Sequence, residues 1–80
     1  MLPKDFEAFV RSGDIERVTI FRPSVDSAWS VYGYGETLPP EVVNMVSLDE
    51  MGSKRLWADL DAAYAFIRKS GFSQAIEIDG

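Results

Sequence analysis

Apolar residues recur along the chain with two different periods, and the switches between them lay out the elements. Leu2, Phe6, Phe9 and Val10 share one side of a helix over residues 3–12, with Pro3 in its first turn and Gly13 as its stop. Asp5 and Glu7 sit near the positive end of that helix dipole and Arg11 near the negative end. Residues 15–22 then alternate as a β-branched strand, Val18 and Ile20 on one face, Thr19 and Phe21 on the other. After the turn-forming run Pro23 to Ser27, residues 28–34 alternate again, Trp29 and Val31 against Ser30, Tyr32 and Tyr34. The two segments read as an antiparallel hairpin.

The middle is less regular. Gly35 to Pro40 is a break, because Pro39-Pro40 forbids pairing there. Residues 42–48 favour a third strand, with a helical turn as the rival. Glu50 to Ser53 turns at Gly52, and Lys54 to Trp57 makes a short fourth strand. A second helix is expected from Leu60 to Ser70, with Asp59 as N-cap and Leu60, Ala63, Tyr64 and Ile67 as its stripe. Arg68 and Lys69 meet its negative end, Gly71 stops it, and Phe72 is placed to pack back on Ile67 in a Schellman arrangement. Residues 75–79 form a last strand with Ile76 and Ile78 inward. The expected fold is α+β: one domain over 1–80, order α-β-β-β-β-α-β, a small mainly antiparallel sheet with two helices on one face.

Composition limits what such a domain does. Eighty residues bury a modest core, and the rings of five Phe, three Tyr and two Trp compensate at little entropy cost. Dimerisation is another remedy, so monomer and homodimer both stay open. Histidine and cysteine are absent. Without imidazole or thiol the serines lack an activating base, and the chain does not read as an enzyme. Gly33-Tyr34-Gly35 is not a phosphate loop. Asp59-x-Asp61 fits first-turn carboxylates, and Asp49-Glu50 a solvated turn, better than metal ligands. No cofactor or metal is expected.

Thirteen acidic residues against eight basic ones give a net charge of −5. That argues against direct nucleic-acid binding and against anionic membranes. It fits a basic protein partner, including one whose groove normally holds DNA or RNA. The N-terminal stretch lacks a signal-peptide core and no apolar run reaches membrane-spanning length, so a cytoplasmic protein is expected. The candidate contact residues are Glu77 and Asp79, outward on the last strand; Asp14 and Glu16 at the start of the first; Asp49 and Glu50 in the turn; and the same-face pair Tyr32 and Tyr34. Arg17, Arg22, Lys54 and Arg55 are the one basic cluster, opposing the acids locally if the strands bring them together.

The run Arg55-Leu56-Trp57-Ala58-Asp59-Leu60-Asp61-Ala62-Ala63, continued through Gly71 to Ile76-Glu77-Ile78-Asp79, resembles small plasmid-borne ParC-type partition-associated proteins. These share an Arg-x-aromatic strand, a Leu-Asp-Ala-Ala helix start, a glycine stop and a hydrophobic strand ending in Asp. The resemblance implies a mobile-element origin and an accessory role in plasmid partition or stability, without catalysis. The segment Glu36 to Met51 departs from that pattern. In overall profile (short, acidic, one domain) the chain also looks like anti-CRISPR proteins. That likeness implies an inhibitor that occupies the basic nucleic-acid-binding surface of a CRISPR effector and blocks DNA access.

Overall fold

The computed structural model describes residues 1–80 and holds two helices and three strands: α1 (Pro3–Ser12), β1 (Arg17–Phe21), β2 (Ser30–Tyr34), α2 (Leu60–Lys69) and β3 (Ile76–Asp79). Pro3 opens α1 where its missing N–H is no loss, and the Asp5 carboxylate accepts from Leu2 N–H at 3.3 Å. Gly13 ends the helix in the left-handed region at φ 84°. There Gly13 N–H donates to Val10 O at 3.1 Å and Asp14 N–H to Phe9 O at 2.9 Å, the Schellman pair. At α2 the expected cap forms, Asp59 Oδ1 accepting from Ala62 N–H at 2.8 Å. The Schellman pair expected there is only half made. Gly71 N–H reaches Arg68 O at 3.0 Å, while the Arg68 guanidinium runs forward to the carbonyls of Phe72 and Gln74, at 2.9 and 2.7 Å.

The sheet order is β2-β1-β3. β1 and β2 form the expected hairpin, antiparallel with Thr19 opposite Tyr32. β3 lies parallel to β1, with Val18 beside Ile76 and Ile20 beside Ile78. The sheet is therefore mixed rather than mainly antiparallel, because α2 carries the chain across before β3 begins. It has three strands, not five.

The expected third and fourth strands, 42–48 and 54–57, are broken into single bridges. Gly33 N–H donates to Asn44 O and Val46 N–H to Val31 O, both at 2.9 Å. The chain then folds back on itself, Arg55 N–H to Val46 O at 3.2 Å, before Trp57 and Trp29 exchange N–H···O bonds of 2.9 and 3.0 Å. Two short segments thus cover the outer edge of β2 in succession, and neither sustains a ladder.

Val18, Ile20 and Val31 project from one face of the sheet and meet Phe6 of α1 and Ala63 and Ile67 of α2, all fully buried. Phe66 links the helices to the tryptophan corner, its ring 5.3 Å from Phe6 and 5.0 Å from Trp57. Both helices cover this face. β3 runs past their shelter: Ile76 is half-buried and Ile78, expected inward, is 52% exposed. The Met1 ammonium donates to the carbonyls of Val43 and Met45 at 3.0 and 2.8 Å, pinning the entry of α1 to the irregular middle segment.

Candidate functional site

Strand alternation sends Arg17, Thr19, Phe21, Ser30, Tyr32, Tyr34, Glu77 and Asp79 to the sheet face that carries no helix. Its centre is aromatic. Phe21 meets Tyr32 edge-on at 6.3 Å, and Tyr32 stacks on Tyr34 at 6.4 Å with planes 10° apart. The tyrosines are half-buried by these mutual contacts rather than fully exposed. Glu77 stands beside Thr19 and Asp79 beside Phe21, so both carboxylates border the aromatic strip, one strand over. Among these strand residues there is one cation. Arg17 lies 5.2 Å from the Tyr34 ring centre and 3.8 Å from the Glu77 carboxylate.

Glu16 belongs to the end of this face. With Glu36, Asn44, Gly35, Arg17 and Tyr34 it lines an open cleft of about 540 Å³. Asp14, its neighbour in sequence, has local work instead: it accepts from Ser12 Oγ and Thr37 Oγ1, each at 2.6 Å. The Ser12 hydroxyl, then that of Thr37, holds the Asp14 carboxyl below the usual carboxylate range. Asp49 is a turn cap, accepting from the N–H groups of Ser53 and Met51 at 3.2 and 3.0 Å, and the Ser53 contact leads in lowering its pKa. Asp49 and Glu50 line a different cleft, of about 480 Å³, with Met1, Phe9 and Val42 on its apolar side. Burial there pushes the Met1 ammonium pKa down, and the nearby Asp5 charge works against that shift.

With Asp14 tied up between Ser12 and Thr37, the other five candidate acids separate into two places. Glu77, Asp79 and Glu16 join Tyr32 and Tyr34 around the helix-free face, and Asp49 and Glu50 lie in the second cleft. Glu36 is an addition from the structure. Its signal was present in the sequence, two residues past Tyr34 beyond the end of the strand.

The suspected basic cluster assembles only in part: Arg22 and Arg55 share the tryptophan corner, and Arg17 stands apart from them. Arg17 and Arg22 differ in strand parity and lie at opposite ends of β1. Arg22 stacks 4.2 Å from the Trp29 ring and donates to Gly80 O at 3.2 Å, and Arg55 lies 5.2 Å from the Trp57 ring. Aromatic stacking holds both guanidinium groups at the tryptophan corner, away from the tyrosine strip.

No three of the acidic side chains converge as metal ligands, and no helix is long and apolar enough to cross a membrane. Ser24 and Ser27 share a hydroxyl contact of 3.0 Å with no lysine or carboxylate joined to it. No protein-family profile, curated protein or solved structure matches the chain.

Proposed function

We propose that this chain is a non-catalytic, acidic protein-binding module that seats its helix-free sheet face on a basic surface of a nucleic-acid-handling partner and keeps nucleic acid off it, as an anti-CRISPR-like inhibitor does. The observation that carries the reading is the segregation of charge around one aromatic strip. Glu16, Glu36, Glu77 and Asp79 border the strip, and Arg17 is the one cation among them, already held by Tyr34 and Glu77. Half-buried tyrosines ringed by carboxylates suit contact with Arg- and Lys-rich protein surface. The same acids repel a phosphate backbone that would otherwise stack bases on the rings.

The test is competition for a purified CRISPR effector complex and its target DNA. Addition of the chain is expected to displace DNA, less so as salt rises, and the double reversal Glu77→Lys with Asp79→Lys to weaken inhibition by about tenfold or more. DNA binding that is indifferent to the chain refutes the CRISPR reading. Plasmid loss on deletion, with interference unchanged, assigns the partition role instead. Several of the residues that carry that resemblance have structural work: Asp59 caps α2, Trp57 and Ala63 are buried, and Arg55 lies over Trp57.

A further inference from the structure

We infer that the partner's contact includes an extended basic segment that adds to the sheet as a strand beside β3, antiparallel to it. This rests on the reading of the chain as an acidic protein-binding module and gives that module its mode of attachment. The two edges of the sheet differ. On β2 most of the outward groups are taken: Trp29 pairs with Trp57, Val31 O with Val46 and Gly33 N–H with Asn44. On β3, Asp79 O accepts from Arg22 N–H at 3.0 Å, so Glu77 and Asp79 turn their backbone groups toward β1. Alternation then leaves the N–H and C=O of Ile76 and Ile78 pointing away from the sheet, at an edge no other strand covers.

Charge decides what that edge accepts. A second copy pairing antiparallel with its helices on the same side sets Glu77 opposite Glu77 or Asp79, and like charges directly opposite are unfavourable. A strand with Lys or Arg opposite Glu77 and Asp79 reverses that sign. Its alternate apolar residues fall beside Ile76 and the 52%-exposed Ile78. The Arg17–Glu77 pair, 3.8 Å long with both side chains mostly exposed, is weak enough to exchange for the incoming cation. Backbone bonds then supply affinity and the acids supply selectivity.

The probe is a short fluorescent peptide of alternating lysine and valine, titrated at low salt against the whole chain, beside the same peptide N-methylated at its valines. Binding is expected to slow amide exchange of Ile76 and Ile78 by about tenfold or more. N-methylation, which keeps the charge and removes the donors, is expected to weaken binding about tenfold, as is Ile78→Pro, whose lost N–H lies outside the β1 ladder. Equal binding of both peptides, with no added protection, overturns edge pairing and leaves the acidic-module reading standing. No binding of the unmodified peptide also overturns it, the module reading then being judged by the DNA competition alone. Protection that grows with protein concentration without peptide assigns the edge to a second copy, and overturns it too.

Discussion

Gly35→Ala tests how the acidic end of the sheet is held together. A Cβ on Gly35 falls onto the Asp14 carbonyl oxygen and 2.9 Å from its carbonyl carbon, and backbone atoms do not swing aside as side-chain tips do. Asp14 is fixed on several sides. Its N–H is bonded to Phe9 O, its carboxylate to Ser12 and Thr37, and Glu16, two residues on, donates its N–H to Tyr34 O at 2.8 Å. Relief of the clash moves the α1–β1 corner and breaks at least one of these bonds. Overpacking costs about 1–3 kcal/mol and a lost hydrogen bond about 1 kcal/mol more, so about 3 kcal/mol is a fair expectation. A domain of this size has a total stability of roughly 4–12 kcal/mol. The melting temperature should therefore fall by about 12–24 °C, followed by far-UV circular dichroism and confirmed by a urea titration with unchanged m-value. Gly52→Ala is the comparison: its φ is +88° and no atom lies within 4 Å of the added Cβ, so it carries only the left-handed penalty of about 1–2 kcal/mol. A Gly35→Ala melt within a few degrees of wild type, or a Gly52→Ala melt below that of Gly35→Ala, refutes the reasoning.

Two further expectations concern the acids with local work. Asp59→Ala removes the cap of α2 and should lower stability by about 1 kcal/mol in a thermal melt, with Asp59→Asn restoring most of it. Asp14 and Asp49 have folded pKa values below their unfolded ones, so the unfolded chain takes up protons first as pH falls. Their contribution is complete above about pH 4 and is lost as pH falls through the folded values; Asp14→Asn with Asp49→Asn should flatten the acid limb of a melting-temperature profile taken from about pH 6 to about pH 3.

The parts of this fold legible in the sequence are those set by neighbours in the chain. The Leu2–Phe6–Phe9–Val10 stripe, the Asp59 cap and the alternation over 15–22 and 28–34 are local; the stripe and the cap appear where expected, and the strands form within those spans as the shorter Arg17–Phe21 and Ser30–Tyr34. What failed depends on distant partners. Residues 42–48 have strand composition, yet Val46 finds both Val31 and Arg55, and Trp57 reaches Trp29 first, so the β2 edge is shared between two segments. The parallel placing of β3 depends on where α2 returns the chain, which no local pattern records. At the site, parity alone placed Glu77 and Asp79 on the face of Tyr32 and Tyr34. The stacking of Arg22 on Trp29 depends on where β1 ends relative to the tryptophan corner.

The net charge of −5 is also a poor guide to what a partner meets. At physiological ionic strength screening acts over about 8 Å, so a docking surface feels its nearest charges and not the sum over the molecule. Arg11 pairs with Glu7 on α1, Arg68 lies 4.8 Å from the Tyr64 ring on α2, and Arg22 and Arg55 are at the tryptophan corner. Their placing takes these four guanidinium groups to the helices and the corner, leaving Arg17 to face Glu16, Glu36, Glu77 and Asp79. A chain with the same composition but Arg22 on the other strand parity would carry the same −5 and lose that asymmetry. Moving a cation onto the tyrosine face, as in Thr19→Lys, should therefore weaken attachment to a basic surface more than Ala65→Lys on the exposed side of α2, although both change the net charge by the same amount.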